Sequence, residues 1–164
     1  MMPEIIKTVV IGIGSPVLTD GGAPLTIIRI LRESQVAGKN THFVTIPAGG
    51  IDLLSELEGY TRAIIIAAFP GASDQSVSVG EMVIETSLTG SDSATALPGD
   101  HGVEITDVLA LGKQCGYPIP ETVVVIGIYG ANVNSLGEQI SDNVANAAKK
   151  VTQRVEDLID QWDT

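Results

Sequence analysis

Two histidines, one cysteine and a scatter of aspartates hold most of the chemistry open to this chain. His101 stands in Pro98-Gly99-Asp100-His101-Gly102, a glycine-bracketed loop approaching a helix, where an imidazole can be aimed into a cleft, although a lone loop histidine is more often simply exposed. His42 opens the short run His42-Phe43-Val44-Thr45-Ile46 and reads as structural or solvated. Asp20 lies between the first apolar run and the helix that follows, where a carboxylate serves either as an N-cap or turn residue or as a metal ligand. Cys115 is alone, which excludes an internal disulfide and a cysteine-based zinc knuckle and leaves a buried or idle thiol. Ser15 precedes a proline with no evident base, and no Gly-x-Ser-x-Gly elbow occurs. No catalytic residue is assigned on these grounds. Lys149, Lys150 and Arg154 sit among acids near the C-terminus and read as a solvated helix face.

The elements that must position these groups alternate between strand and helix. Thr8 to Gly14 is a β-branched apolar run, expected as a strand buried on both faces. Pro24 to Ala37 carries apolar residues at helical spacing and stops before Gly38. A strand over His42–Ile46, a helix over Asp52–Gly59 and a buried strand over Ala63–Phe69 come next. Val77 to Glu85 alternates as an edge strand would, and Gly90 to Gly99 has loop composition. A helix over Glu104–Gly116, a strand over Thr122–Tyr129 and a long helix from about Leu136 to Trp162 complete the pattern. This order predicts an α/β fold, a three-layer α/β/α sandwich on a mostly parallel sheet of about five strands, with residues 1–164 as one domain. In such sheets ligands bind beyond the carboxyl ends of the strands, so the loops after Gly14, Ala68 and Tyr129 and the approach to His101 are the segments to read for function.

Gly12-x-Gly14 after a strand invites a dinucleotide reading. The third glycine of that fingerprint is replaced by Val17, and the second strand ends in Thr45-Ile46-Pro47 without an acid to hold a ribose. A tight strand-to-helix turn accounts for these glycines. Composition narrows the partners further. In 164 residues there are 20 Asp and Glu against 9 Lys and Arg, a net charge of −11. The isoelectric point is near 4.4 and the mean hydropathy is +0.28. Such a surface repels phosphate backbones, so neither nucleic acid nor an anionic membrane is expected as a partner. No apolar run approaches the roughly 18 residues of a membrane span, and no signal-peptide pattern opens the chain. The expected location is cytoplasmic.

Five segments in order resemble the hydrogenase maturation endopeptidases. Val9 to Asp20, with Gly14-Ser15-Pro16-Val17-Leu18-Thr19-Asp20, is similar to that family's opening strand and Gly-Asn-x-Leu-x-x-Asp loop, with serine for asparagine. Gly50 to Leu54 and Tyr60 to Ile66 resemble its helix and central strand, and Asp100-His101-Gly102-Val103 through Leu111 resembles its histidine loop. Val123 to Ile128 and Ile140 to Val144 are similar to its last strand and final helix. The resemblance implies an α/β/α protein that recognises nickel already inserted in a [NiFe]-hydrogenase large-subunit precursor, or a related metalloprotein, and removes its C-terminal extension. The family's metal site, two carboxylates and one histidine, would place the histidine at His101 and the carboxylates at Gly21 and Ala67, neither of which can coordinate a metal. Asp20 and Asp74 are the acids near enough in sequence to replace them, and Ser15, Phe69 and Asp100 are expected to line the substrate cleft. The implied nickel is expected to be carried by the substrate and not held tightly by this chain. The alternative is a non-catalytic homologue acting as a binding or assembly protein.

Overall fold

The computed structural model describes residues 7–15, 17, 20–34, 40–47, 49–70, 83–87, 100–130, 137 and 142–163. Five strands, β1 (Thr8–Ile13), β2 (Thr41–Ile46), β3 (Arg62–Pro70), β4 (Val83–Ser87) and β5 (Thr122–Gly130), form one sheet in the order β2-β1-β3-β5-β4. Every neighbouring pair is parallel except β4 with β5, which is antiparallel at the edge. Four helices accompany it: α1 (Ala23–Ser34), α2 (Ile51–Leu57), α3 (Asp100–Gln114) and α4 (Asp142–Asp163). This is the expected α/β/α sandwich on a mostly parallel sheet.

Alternation along the strands divides the apolar side chains between two cores. Val10, Ile64, Ile66, Val124, Ile126 and Ile128 face one way, onto Ile27, Ile28 and Leu31 of α1 and Val144, Ala147, Val151, Val155 and Leu158 of α4. Val9, Ile11, Ala63, Ile65, Ala67, Phe69, Val123 and Val125 face the other way, onto Leu53 and Leu57 of α2 and Ile105 and Leu109 of α3. Each fully buried Ile or Leu among them contributes about 1.5–3 kcal/mol of apolar transfer free energy. Thr152 sits within the apolar stripe of α4, and its Oγ1 donates to the Ala148 carbonyl at 2.8 Å, so its burial leaves no hydroxyl unpaired.

Three boundaries differ from the sequence reading. Asp100 and His101 are the first residues of α3 and do not belong to a loop, and Gly102 lies inside the same helix. The long C-terminal helix spans Asp142–Asp163, with Gly137 outside it, so Leu136 does not begin it. The described edge strand continues two residues past the expected Val77–Glu85, pairing Val83 to Ile128 and Ser87 to Val124, and residues 77–82 lie outside the described residues. The Gly90–Gly99 stretch lies outside the described residues.

Candidate functional site

Strand order fixes where a ligand can approach. From β1 the chain passes through α1 on one face to β2, then returns through α2 on the other face to β3, on the far side of β1. The order therefore reverses between β1 and β3, and the carboxyl ends of these two strands border a crevice of the kind in which α/β proteins bind ligands. Ile13 pairs with Ala67 at that end, and Ala67 pairs in turn with Gly127 of β5.

The loop leaving β1 is held tightly. The Gly14 amide donates to the Ile46 carbonyl of β2 at 3.0 Å, and the Val17 carbonyl accepts from the Gly137 amide at 2.9 Å. A Cβ on Gly14 would collide with the Gly21 carbonyl oxygen and stand 3.0 Å from Leu25 Cδ1, so only glycine allows the outgoing loop to fold back over the strand end. Ser15 is half-buried at this turn, and Val17 is 57% exposed. Asp20 opens a 3-10 turn, Asp20–Gly22, that runs directly into α1. Its backbone thus lies at the strand-end pole.

His101 reaches the same pole through α3. Gly112 near the end of that helix packs on Leu54 and Ile119, and Ile119 leads within three residues to the start of β5. Helix α3 therefore runs opposite to β5 and begins at the carboxyl ends of the strands, with Asp100 and His101 in its first turn. Ile105 and Leu109, on the following turns, pack in one cluster with Ala67 and Phe69. The fold brings the turn bearing Asp20 and Gly21, the end of β3 at Ala67 and the start of α3 to one end of the molecule. Asp74 lies outside the described residues.

Phe69 is placed differently from the expectation that it lines a substrate cleft. It is fully buried, with its ring against Gly127, where a Cβ would collide with it. The alternation that puts Ala67 on the α2/α3 face puts Phe69 there too, and the gap left by Gly127 receives the ring. A glycine in the middle of an otherwise β-branched strand was the available signal of this close approach.

The two positions where the resemblance requires carboxylates offer no donor. Ala67 is 2% exposed in an apolar cluster, and Gly21 is buried against Gly14. Among the described residues no group of three His, Cys, Asp or Glu side chains comes together to hold a metal ion. Asp20, Asp74 and His101, the other candidate donors, have side chains outside the described residues. His42, the other imidazole, is at the amino end of β2, where its Nδ1 meets the Tyr60 hydroxyl at 2.7 Å and its ring stands edge-on to Tyr60. That is a structural contact, as the sequence indicated. Cys115 is an exposed free thiol just after α3. At the amino-end pole a cleft of about 420 Å³ is lined by Tyr60, Thr61, Arg62, Ile119, Pro120, Glu121 and Thr122, on the side of the sheet away from the strand-end crevice.

No family model matches the chain, and no curated protein matches it in sequence. Solved structures do: the fold is that of the hydrogenase maturation endopeptidases. The hydrogenase maturating endopeptidase HybD of Escherichia coli superposes with a TM-score of 0.73 at 16% identity, over 92% of this chain and 90% of that one. The [NiFe] hydrogenase maturation protease HybD of Thermococcus kodakarensis gives 0.64 at 21%, over 94% and 99%. HycI, a [NiFe] hydrogenase maturation protease of Thermococcus kodakarensis KOD1, gives 0.67 at 17%, over 94% and 92%. The likeness spans nearly the whole of each chain, so it includes the strand-end pole.

Proposed function

We propose that this chain is a hydrogenase maturation protease-like protein that engages the C-terminal region of a nickel-carrying [NiFe]-hydrogenase large-subunit precursor and promotes removal of its extension. One observation supports the reading: the fold matches maturation proteases over nearly the whole chain, and the backbone of His101 lies in the first turn of α3, at the pole where the β1/β3 crevice opens. In this reading the precursor brings the nickel, and His101 supplies the one side chain of the aligned set able to contact it. Asp20 and Asp74 are the acids from which further contacts would come. Ser15 at the tight turn and Asp100 beside His101 border the bound tail. The net charge of −11 disfavours a phosphate backbone as a competing partner. No described helix is long and apolar enough to cross a membrane.

The test is a cleavage assay on the nickel-loaded precursor, read by the mass of the large subunit. Wild-type chain should shorten it, and His101→Ala should lower the rate by at least about a hundredfold, the range for removing a group that acts in the transition state. A precursor that binds but is never shortened would make the chain a non-catalytic assembly factor.

A further inference from the structure

The cleft of about 420 Å³ at the amino ends of β3 and β5 has the size of a small-ligand pocket and no part in the proposed cleavage. Its lining residues differ in what they leave unused. Thr61 is committed to its own chain: its hydroxyl donates to the Lys7 carbonyl and accepts from the Lys7 amide, both at 3.1 Å. Arg62 is committed as well. Its guanidinium donates to the Trp162 carbonyl at 2.8 Å, stands 5.6 Å from the Trp162 ring centroid, and has the Asp163 carboxylate at 3.8 Å to answer its charge. The end of α4 therefore holds this cation, and an anion in the cleft would compete with a carboxylate and a helix carbonyl already in place.

Three other groups remain. The Glu121 carboxylate is exposed and has no ion-pair partner among the described residues. The Thr122 hydroxyl beside it is half-buried and makes no hydrogen bond among the described residues. Tyr60 spends its hydroxyl on His42 Nδ1 at 2.7 Å, which leaves the aromatic ring as what it offers the cleft. Burial first, and then the Glu56 carboxylate, hold that phenol above its ordinary value, so a second acid acts on the same spot. Buried Pro120 and half-buried Ile119 add an apolar wall. A carboxylate, an aromatic ring and an apolar wall in one cleft are the parts that hold a cation on a short hydrocarbon stem.

We infer that this cleft binds an organic cation, an alkylammonium or alkylguanidinium group, whose charged head is held by the Glu121 carboxylate and the Tyr60 ring and whose stem lies along Ile119 and Pro120. The Thr122 hydroxyl accepts one of the head group's N–H bonds. A free amine and the lysine or arginine side chain of a partner polypeptide share this chemistry. Neither source depends on the proposed cleavage, because the cleft and the strand-end crevice are at opposite poles of the sheet.

The test is a titration of butylguanidinium into the intact, ¹⁵N-labelled chain, followed by its amide shifts. Saturable shifts should appear at Thr61, Arg62, Glu121 and Thr122, with a dissociation constant of about 1 mM or tighter. Glu121→Gln should weaken binding by at least about tenfold, whereas Asp107→Asn, an exposed acid of α3 outside the cleft, should change it by less than about twofold. Tyr60→Phe keeps the ring and should keep the affinity within about twofold, while Tyr60→Leu, checked as folded by the same spectrum, should lose about threefold to fivefold. An acetylated and amidated Gly-Arg-Gly peptide separates the sources. Binding within about threefold of butylguanidinium sustains the inference with a polypeptide side chain as the ligand, and exclusion of the peptide sustains it with a free amine. Absence of saturable shifts up to about 20 mM overturns the inference. Equal weakening by Glu121→Gln and Asp107→Asn also overturns it, since the attraction would then be that of the whole acidic chain. Succinate shifting these amides where butylguanidinium does not would make the cleft an anion site on Arg62 and overturn it too.

Discussion

At the scale of the residue, the chain's most exacting demands fall on glycines and on one tyrosine. Gly127 leaves the space that the Phe69 ring fills, with Phe69 Cδ2 at 2.7 Å from where a Cβ would stand. Gly127→Ala therefore overpacks a fully buried cluster and should cost about 1–3 kcal/mol, read as a lower urea midpoint at constant slope. Phe69→Leu in the same chain should recover part of that loss, since the two side chains share one space, and the coupling is measured by a double-mutant cycle. Tyr60 presents a titration. Burial, and secondarily the Glu56 carboxylate, push its phenol above the usual value near 10. The folded state thus favours the protonated phenol, which also shares the 2.7 Å hydrogen bond with His42. Its contribution to stability is fully present below about pH 10 and is lost as pH rises through the folded value. Thermal melts between about pH 9 and 11.5 should fall less steeply for Tyr60→Phe than for wild type, and parallel slopes would refute this assignment.

At the scale of the element, the terminal helix depends on a contact far from it in sequence. Arg62, at the start of β3, donates from a guanidinium nitrogen to the Trp162 carbonyl at 2.8 Å. It lies 5.6 Å from the Trp162 ring centroid and 3.8 Å from the Asp163 carboxylate. The arginine satisfies a carbonyl that the last turn of a helix leaves without an internal partner, and adds a cation at the negative end of the helix dipole. Arg62→Ala should destabilise the protein by about 1–2 kcal/mol by urea unfolding, mostly through lost protection of the end of α4 in hydrogen exchange. The exposed pair Arg29–Glu33, 3.9 Å apart one turn along α1, is the contrasting case. Arg29→Ala should change stability by no more than about 0.5 kcal/mol. A similar device protects an open side of the sheet: Arg32 donates to the Phe43 carbonyl at 2.8 Å, covering part of the β2 edge.

At the scale of the molecule, charge and topology dominate. With a net charge of −11, the folded state carries self-repulsion that salt screens, so the melting temperature should rise as NaCl goes from about 20 mM to 500 mM. A flat or falling response would mean that specific ion pairs outweigh the net field. Much of the fold was legible in the chain order, because β-branched runs and helical stripes have different periods and each period selects its own burial pattern. The runs at Thr8–Gly14, Ala63–Phe69 and Thr122–Tyr129 became central strands because they are apolar on both faces, which only a sheet covered by two helical layers can bury. His101, Asp20 and Gly21 were identifiable as strand-end residues for the same reason, since their neighbours fixed which ends they follow.

What the sequence alone determined was the list of parts: alternating elements, an excess of acidic residues, a histidine close before a helical segment, and no carboxylate at two positions where the resemblance requires them. Those properties are local, set by residue type and short-range period. Tertiary structure decided what no local pattern holds. It placed the reversal of strand order between β1 and β3, which locates the crevice. It moved Phe69 from the cleft into the core, because only the pairing of β3 with β5 brings its ring over Gly127. It also closed the space around Ala67, which shares one buried cluster with Ile105 and Leu109 of α3, residues that are distant in sequence and meet it only when the chain is folded.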